Sequence, residues 1–232
     1  MIASTPTSRA GGPGLGGATA LGVQSMGPDE RLQHARRIDW RFLLPDPNLG
    51  QVLYIAPEQG QDEHRQALQL FSRALTVARS WQQAVAEGRQ YDTVVVSWPK
   101  RECLPALASL LRPGGHLYLE NRGPLAFLRE RGREATPWHC LGSDVGGPFR
   151  LTRELEALGL EDVRAHWHWP SFRACTKLIP LDGPEGLLVA LGPEEGTLRS
   201  RAKTALVRAL FRTGWIRFLV TSYSVIARRG LR

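Results

Sequence analysis

Cysteine is scarce in this chain: among 232 residues there are three, Cys103, Cys140 and Cys175. They are odd in number, widely spaced and form no CxxC pair, which excludes a disulfide framework and a zinc ribbon and suits a reducing compartment. No apolar run approaches the roughly 20 residues that a membrane-crossing helix needs. The first 25 residues carry only Arg9 ahead of a Gly/Ala/Thr-rich stretch poor in Leu and Val, so no secretory leader is expected either. The expected location is the cytoplasm. Nucleotide-loop, nucleophile-elbow and zinc-helix motifs are also missing. Gly114-Gly115 and Gly146-Gly147 have neither the GxGxxG spacing nor a following Lys-Ser/Thr and read as turns, so hydrolase and zinc-protease chemistry have no support.

With 42% hydrophobic side chains, the chain can bury the core of one three-layer domain with added ends. Residues 1–28 are rich in Gly, Ser, Thr and Pro, too apolar-poor to offset the entropy of ordering, and are expected to be a disordered tail. Met26 stands just before the first foldable segment, so either Met1 or Met26 can be the start. The expected domain is 29–232, with an N-terminal cap at 29–50.

Charge is unevenly placed. Residues 199–232 hold nine Arg/Lys and no acid, whereas the remainder carries 21 basic and 22 acidic side chains. Concentration in one segment points to a local anionic contact or a solvated helix face rather than to diffuse nucleic-acid affinity.

Along the chain, Asp29–Arg37 reads as a short polar helix, and Val52-Leu53-Tyr54-Ile55-Ala56, closed by Pro57, as a buried parallel strand. A helix from Asp62 to about Ser72, a strand Ala74–Ala78 and a helix Trp81–Glu87 follow. The β-branched run in Tyr91-Asp92-Thr93-Val94-Val95-Val96-Ser97 is the clearest strand. Glu102–Leu111 reads as a helix stopped by Arg112-Pro113-Gly114-Gly115, His116–Glu120 as a strand, Leu151–Leu158 as a helix stopped by Gly159, and Asp162–Trp169 as a strand. A helical insertion is expected over Ile179–Val220 before a last strand at Ser222–Arg228. Alternation of this kind predicts a doubly wound, mainly parallel α/β sheet covered on both faces.

The run Tyr91–Ser97, Leu107–Leu111, Arg112-Pro113-Gly114-Gly115 and His116–Glu120 resembles the central strand, helix, "LRPGG" turn and next strand of class I S-adenosylmethionine-dependent methyltransferases. Leu158-Gly159-Leu160-Glu161-Asp162-Val163 resembles that family's entry into its sixth strand, and Ser222–Arg228 its antiparallel closing strand. The resemblance spans residues 50–229 and implies a Rossmann-like sheet with S-adenosylmethionine bound at the ends of the first strands. On it the cofactor-facing positions are Tyr54, Ala56, Glu58, Gly60, Ser80 and Ser97.

The chain departs from that pattern at the cofactor. The glycine-rich loop after the first strand is Ala56-Pro57-Glu58-Gln59-Gly60-Gln61, with a single glycine where backbone must approach the ligand closely. The acid that ends the family's second strand and binds the ribose hydroxyls is replaced by Ala78-Arg79-Ser80. Only 34 residues, Pro57 to Gln90, separate the first strand from the Tyr91 strand, so the third strand, which touches the adenine, is expected to be absent or very short. The cofactor site is thus expected to be degenerate, and Glu58 is the candidate for a displaced carboxylate.

His166 and His168 fall on one face of a strand, with Trp167 and Trp169 on the other. With His139, beside Cys140, they are the candidate general bases, since a neutral imidazole can take a proton from an attacking hydroxyl or amine. Structural strand-edge histidines are the competing reading. The spacing is not a recurrent metal-ligand one, and no metal is expected. Near the C-terminus, Leu206, Val207, Leu210 and Phe211 form an apolar arc bordered by Arg201, Arg208 and Arg212, a surface for a protein partner or an anionic ligand, for covering an acceptor pocket or for lying on an anionic membrane, with packing on its own domain as the competing reading. Without interleaved exposed aromatics, nucleic acid is not the expected partner. Two functions stay open: a methyltransferase-like binding or partner subunit in a biosynthetic system, and an active methyltransferase on a small-molecule or peptide acceptor.

Overall fold

The structure is a computed structural model that describes residues 27–56, 62–123, 126, 146–172, 175–192 and 198–231. Residues 1–26 of the expected tail, the Pro57–Gln61 loop and His139-Cys140 lie outside the described residues, and Pro28, placed in the tail by the sequence, opens the first helix.

Seven strands make one sheet. In chain order they are β1 (Gln51–Ile55), β2 (Ala74–Ala78), β3 (Tyr91–Ser97), β4 (Leu111–Arg122), β5 (Leu160–Trp169), β6 (Lys177–Pro180) and β7 (Ser222–Arg229). Their order across the sheet is β2-β1-β3-β4-β7-β5-β6. Pairings among β2, β1, β3 and β4 are parallel, β7 runs antiparallel to both β4 and β5, and β6 is antiparallel to β5. This is the doubly wound, mainly parallel Rossmann-like sheet with an antiparallel closing strand that the sequence predicts. The chain leaves β1 for β2 on one side and returns to place β3 on the other, so the direction of winding reverses between β1 and β3.

Eight helices flank the sheet among the described residues: α1 (Pro28–Arg37), α2 (Asp62–Phe71), α3 (Trp81–Ala86), α4 (Leu104–Ser109), α5 (Pro148–Ala157), α6 (Pro184–Ala190), α7 (Leu198–Arg212) and α8 (Ile216–Leu219). Period-two alternation along each strand divides the core in two. Val52, Tyr54, Val95 and Tyr118 face a layer built from Ile38, Trp40, Leu44 and the α2 residues Ala67 and Leu68. Leu53, Val94, Leu117 and Leu119 face the opposite layer, with Leu107 of α4, Leu151 and Leu155 of α5, and Val207 of α7. The N-terminal cap packs on the sheet through Trp40, whose ring stacks on Tyr118 at 3.8 Å between centroids.

Three boundaries differ from the sequence reading. The helix expected over Glu102–Leu111 spans only Leu104–Ser109, and Arg112-Pro113-Gly114-Gly115 belongs to β4 rather than preceding it. Pairing between β3 and β4 slips between Tyr91/Leu111 and Thr93/His116, and Gly114, at φ 78°, takes up the slack. The expected helical insertion opens on a strand, because Ile179 lies in β6, hydrogen-bonded along β5 opposite Trp167. Strand β5 starts at Leu160, with a bulge between Glu161 and Arg164 where Asp162 adopts φ 52°. No strand stands between α3 and β3, so β2 is the sheet's edge, as the short connection implies. Among the described residues, no helix is long and apolar enough to cross a membrane.

Candidate functional site

In a doubly wound sheet, the carboxyl ends of the strands at the winding reversal form the crevice where ligands bind, because helix amino termini and loops converge there. Here that edge is built by Tyr54 of β1, Ser97 of β3, Glu120 of β4, Ser224 of β7 and His168 of β5. Strand register sets Ser97 beside Glu120 and Glu120 beside Ser224. Arg37, at the last turn of α1, and His64, in the first turn of α2, reach in from above.

The centre of the group is a buried ion pair. Glu120 is 2% exposed and receives both arms of the Arg37 guanidinium, at 2.5 and 2.6 Å. Tyr118 Oη donates to Glu120 Oε1 at 2.9 Å, and Ser97 Oγ donates to Oε2 at 3.4 Å. Burial by itself would push the Glu120 carboxyl up, but the adjacent Arg37 charge and its hydrogen bonds outweigh burial and hold it at about 2. The same pairing raises Arg37 above its ordinary value although burial opposes it. Charge-assisted bidentate geometry of this kind is strong, and it leaves both carboxylate oxygens fully committed.

The neighbouring histidines are neutral. Burial pulls His64 and His168 each down to about 3, and the positive Arg37 adds to the effect. His168 Nε2 shares a hydrogen bond of 2.8 Å with Ser224 Oγ and lies 3.5 Å from Tyr118 Oη, while its backbone carbonyl accepts from Ser222 Oγ at 2.9 Å. His64 differs from it. Neither of its ring nitrogens has a hydrogen-bond partner among the described residues, and its nearest polar approach is Nδ1 to Glu120 Oε2 at 3.5 Å. The ring meets Tyr54 edge-on at 5.1 Å. At the rim, Trp98 follows Ser97 in the left-handed region at φ 56°, rare for a bulky side chain, with the Arg122 guanidinium 5.3 Å over its ring.

Of the positions singled out from sequence, Tyr54, Ser97 and His168 come together in this cluster. Tyr54 is buried, and burial raises its hydroxyl pKa although Ser97 hydrogen-bonds it. Ala56 packs at the margin of the core layer under α2. Ser80 does not join. It is the amino-terminal cap of α3, its Oγ accepting from Gln83 N at 3.3 Å, which is a structural task. His166 lies on the same strand face as His168 but lines a separate cleft of about 260 Å³ with His116, Arg164 and Arg228. Burial lowers it to about 4. Glu58, Gly60 and His139 are outside the described residues. No group of three His, Cys, Asp or Glu suited to a metal occurs among the described residues.

Arg37, His64, Tyr118 and Glu120 escaped the sequence reading. The signal for Glu120 was present: an acid ending the apolar run Leu117-Tyr118-Leu119 sits at the carboxyl edge of a buried strand. Arg37 and His64 reach the site from helices whose approach only the fold defines. Glu120 cannot replace the missing ribose-binding acid, because it stands three strand spacings from β2, about 14 Å. Two clefts open at the other end of the strands. One of about 370 Å³ lies beside Gln51, Ala74 and Tyr91, at the starts of β1, β2 and β3, and the His166 cleft lies at the start of β5.

No family model matches the chain, and no curated protein matches it in sequence. Solved structures do resemble it in fold. Phosphoethanolamine N-methyltransferase 2 of Haemonchus contortus, in complex with S-adenosyl-L-methionine, is 11% identical with a TM-score of 0.42, over 88% of this chain and 53% of that one. The chain thus spans about half the length of that protein. The N-methyltransferase NodS of Bradyrhizobium japonicum WM9 is 13% identical with a TM-score of 0.42, over 88% and 98% of the two chains. A possible histamine N-methyltransferase of Thermotoga maritima is 11% identical with a TM-score of 0.41, over 86% and 88%. These scores are low, and the functional reading rests on the residues of this chain.

Proposed function

We propose that this chain is a methyltransferase-like protein that makes no catalytic use of S-adenosylmethionine and serves as a cytoplasmic binding or partner subunit in a biosynthetic system. One observation carries the reading: along the carboxyl edge the carboxylate, the guanidinium and the hydroxyls of Tyr118, Ser97 and Ser224 are committed to one another or to the fold. Glu120 is saturated by Arg37, Tyr118 and Ser97, and a carboxylate held at about 2 is a poor general base near neutrality. At the end of β2, Arg79 donates its backbone N–H to Gln83 and Ser80 caps α3, and among the described residues no carboxylate ends that strand to accept from a ribose. Each missing polar contact costs on the order of 1–3 kcal/mol of affinity, and more where a buried ligand group is left unpaired.

The test is calorimetric titration with S-adenosylmethionine and S-adenosylhomocysteine. Binding is expected to be weaker than about 0.1 mM, which is roughly 5.5 kcal/mol. Micromolar binding would overturn the reading.

A second reading, an active methyltransferase on a small or peptide acceptor, is favoured by His64. A buried neutral imidazole without a hydrogen-bond partner among the described residues stands directly after the loop to which the resemblance assigns the cofactor. If the cofactor binds at micromolar concentration, His64 joins His139, His166 and His168 as the first residues to replace.

A further inference from the structure

α7 has two apolar faces, and the fold uses one of them. Val207, with Leu210 and Phe211, packs on the sheet. At about 100° per residue, Ala202, Ala205, Leu206 and Ala209 come round to the outer side, where all four are exposed and Leu206 is 60% exposed. The sequence reading put Leu206 on one arc with Val207; the structure divides that arc, burying Val207 in the core and leaving Leu206 exposed.

Arg201, Arg208 and Arg212 run along one border of this outer strip, all exposed and, among the described residues, without an ionic partner. The next turn exposes Trp215 at 63% and Leu219 at 46%, with the Arg217 guanidinium 4.6 Å over the Phe218 ring. Other basic groups of this segment have tasks within the fold: Arg228 pairs with Glu161 and Asp162, and Lys203 Nζ donates to Leu191 O at the end of α6. No acid occurs from Arg199 onward to balance the remaining arginines.

We propose that the outer face of α7, with Trp215, seats this protein on an anionic lipid surface. The residue types favour that occupant. A shallow strip of Ala and Leu offers neither a pocket nor the set of large anchors that a protein hot spot needs, and a lone exposed Trp is too little for stacking a run of bases. The same strip beside an arginine row, with an indole at its end, suits a helix lying in the headgroup layer, where apolar side chains sink a few ångströms and arginines meet lipid phosphates. The surface is remote from the Glu120 cluster, and the proposal stands whether or not S-adenosylmethionine binds.

Cosedimentation of the full chain with vesicles tests it, using phosphatidylcholine alone and phosphatidylcholine mixed with phosphatidylglycerol. Binding is expected only to the mixed vesicles and is expected to fall as salt rises. The triple variant Arg201→Gln, Arg208→Gln, Arg212→Gln should lose about a hundredfold in partitioning. Leu206→Ser with Trp215→Ser should weaken binding at unchanged charge. All five positions are solvent-facing, so melting temperatures should stay level, which separates lost docking from lost folding. Failure to bind mixed vesicles at low salt overturns the proposal. So does a triple variant that binds like the native chain, an apolar double variant that does so, or retention by RNA or an acidic protein while vesicles stay free.

Discussion

At the end of β2 stand Ala78, Arg79 and Ser80, a capping residue and its neighbours; at the end of β4, on the same edge, Glu120 gathers a guanidinium, two hydroxyls and a nearby imidazole. The β1–β2 side is thin as well as plain. Strand β2 is an edge strand with Ala74 and Val77 exposed, whereas β3, β4 and β7 are buried through their centres. The side covered by α1 and the Trp40 cap holds the polar cluster, whereas the other side ends in Ala78-Arg79-Ser80 and has β2 as its edge. Desolvation explains why the two buried charges pair: each charge buried under the cap requires a partner, and Arg37 and Glu120 supply one another.

The largest effect that sharpens this contrast is expected from Glu120→Gln. Removing one member of a buried pair leaves Arg37 uncompensated and should cost about 3–5 kcal/mol, or roughly 10 °C or more in melting temperature. Arg37→Met combined with Glu120→Leu should cost less than Glu120→Gln alone, because no buried charge remains. If Glu120→Gln melts like the native protein, the cluster is solvated and the contrast fails.

Acid should dismantle the same side and the separate cleft of His166. His64, His168 and His166 have folded pKa values of about 3, 3 and 4 against 6.5, and Glu120 about 2 against 4.5. All four bind protons less readily when folded, so stability is complete above about pH 6.5 and falls as pH is lowered, through the histidines first and through Glu120 between about 4.5 and 2. Thermal melts from pH 7 to 4 should decline steadily, and His168→Gln, which can keep a bond to Ser224, should flatten the decline. A native profile level down to pH 4 would contradict the burial of neutral imidazoles.

The smallest effect belongs to the plain side. Ser80→Ala removes one helix cap and should cost about 1 kcal/mol, with no change in S-adenosylmethionine titration. A change in that titration would return Ser80 to the site.

The order of strands and helices was legible in the sequence because it follows from local pattern. The β-branched run at 93–96, the prolines and glycines that punctuate the chain, and the short Pro57–Gln90 connection predicted a doubly wound sheet lacking one strand. That Ala78-Arg79-Ser80 at the end of β2 holds no acid was equally readable, since it concerns one residue type at one strand end. Boundaries near Arg112–Gly115 were not, because a chain that can stop a helix can also bulge within a strand, and only pairing with β3 decides between the two. The Arg37–Glu120 pair lies 83 residues apart in sequence, and no local pattern links a helix-end arginine to a strand-end acid. Composition and periodicity determined the fold class and the basic C-terminal segment. Tertiary structure decided which polar groups meet and which of two adjacent residues on α7 faces water, since burial and distance arise only when separate elements pack.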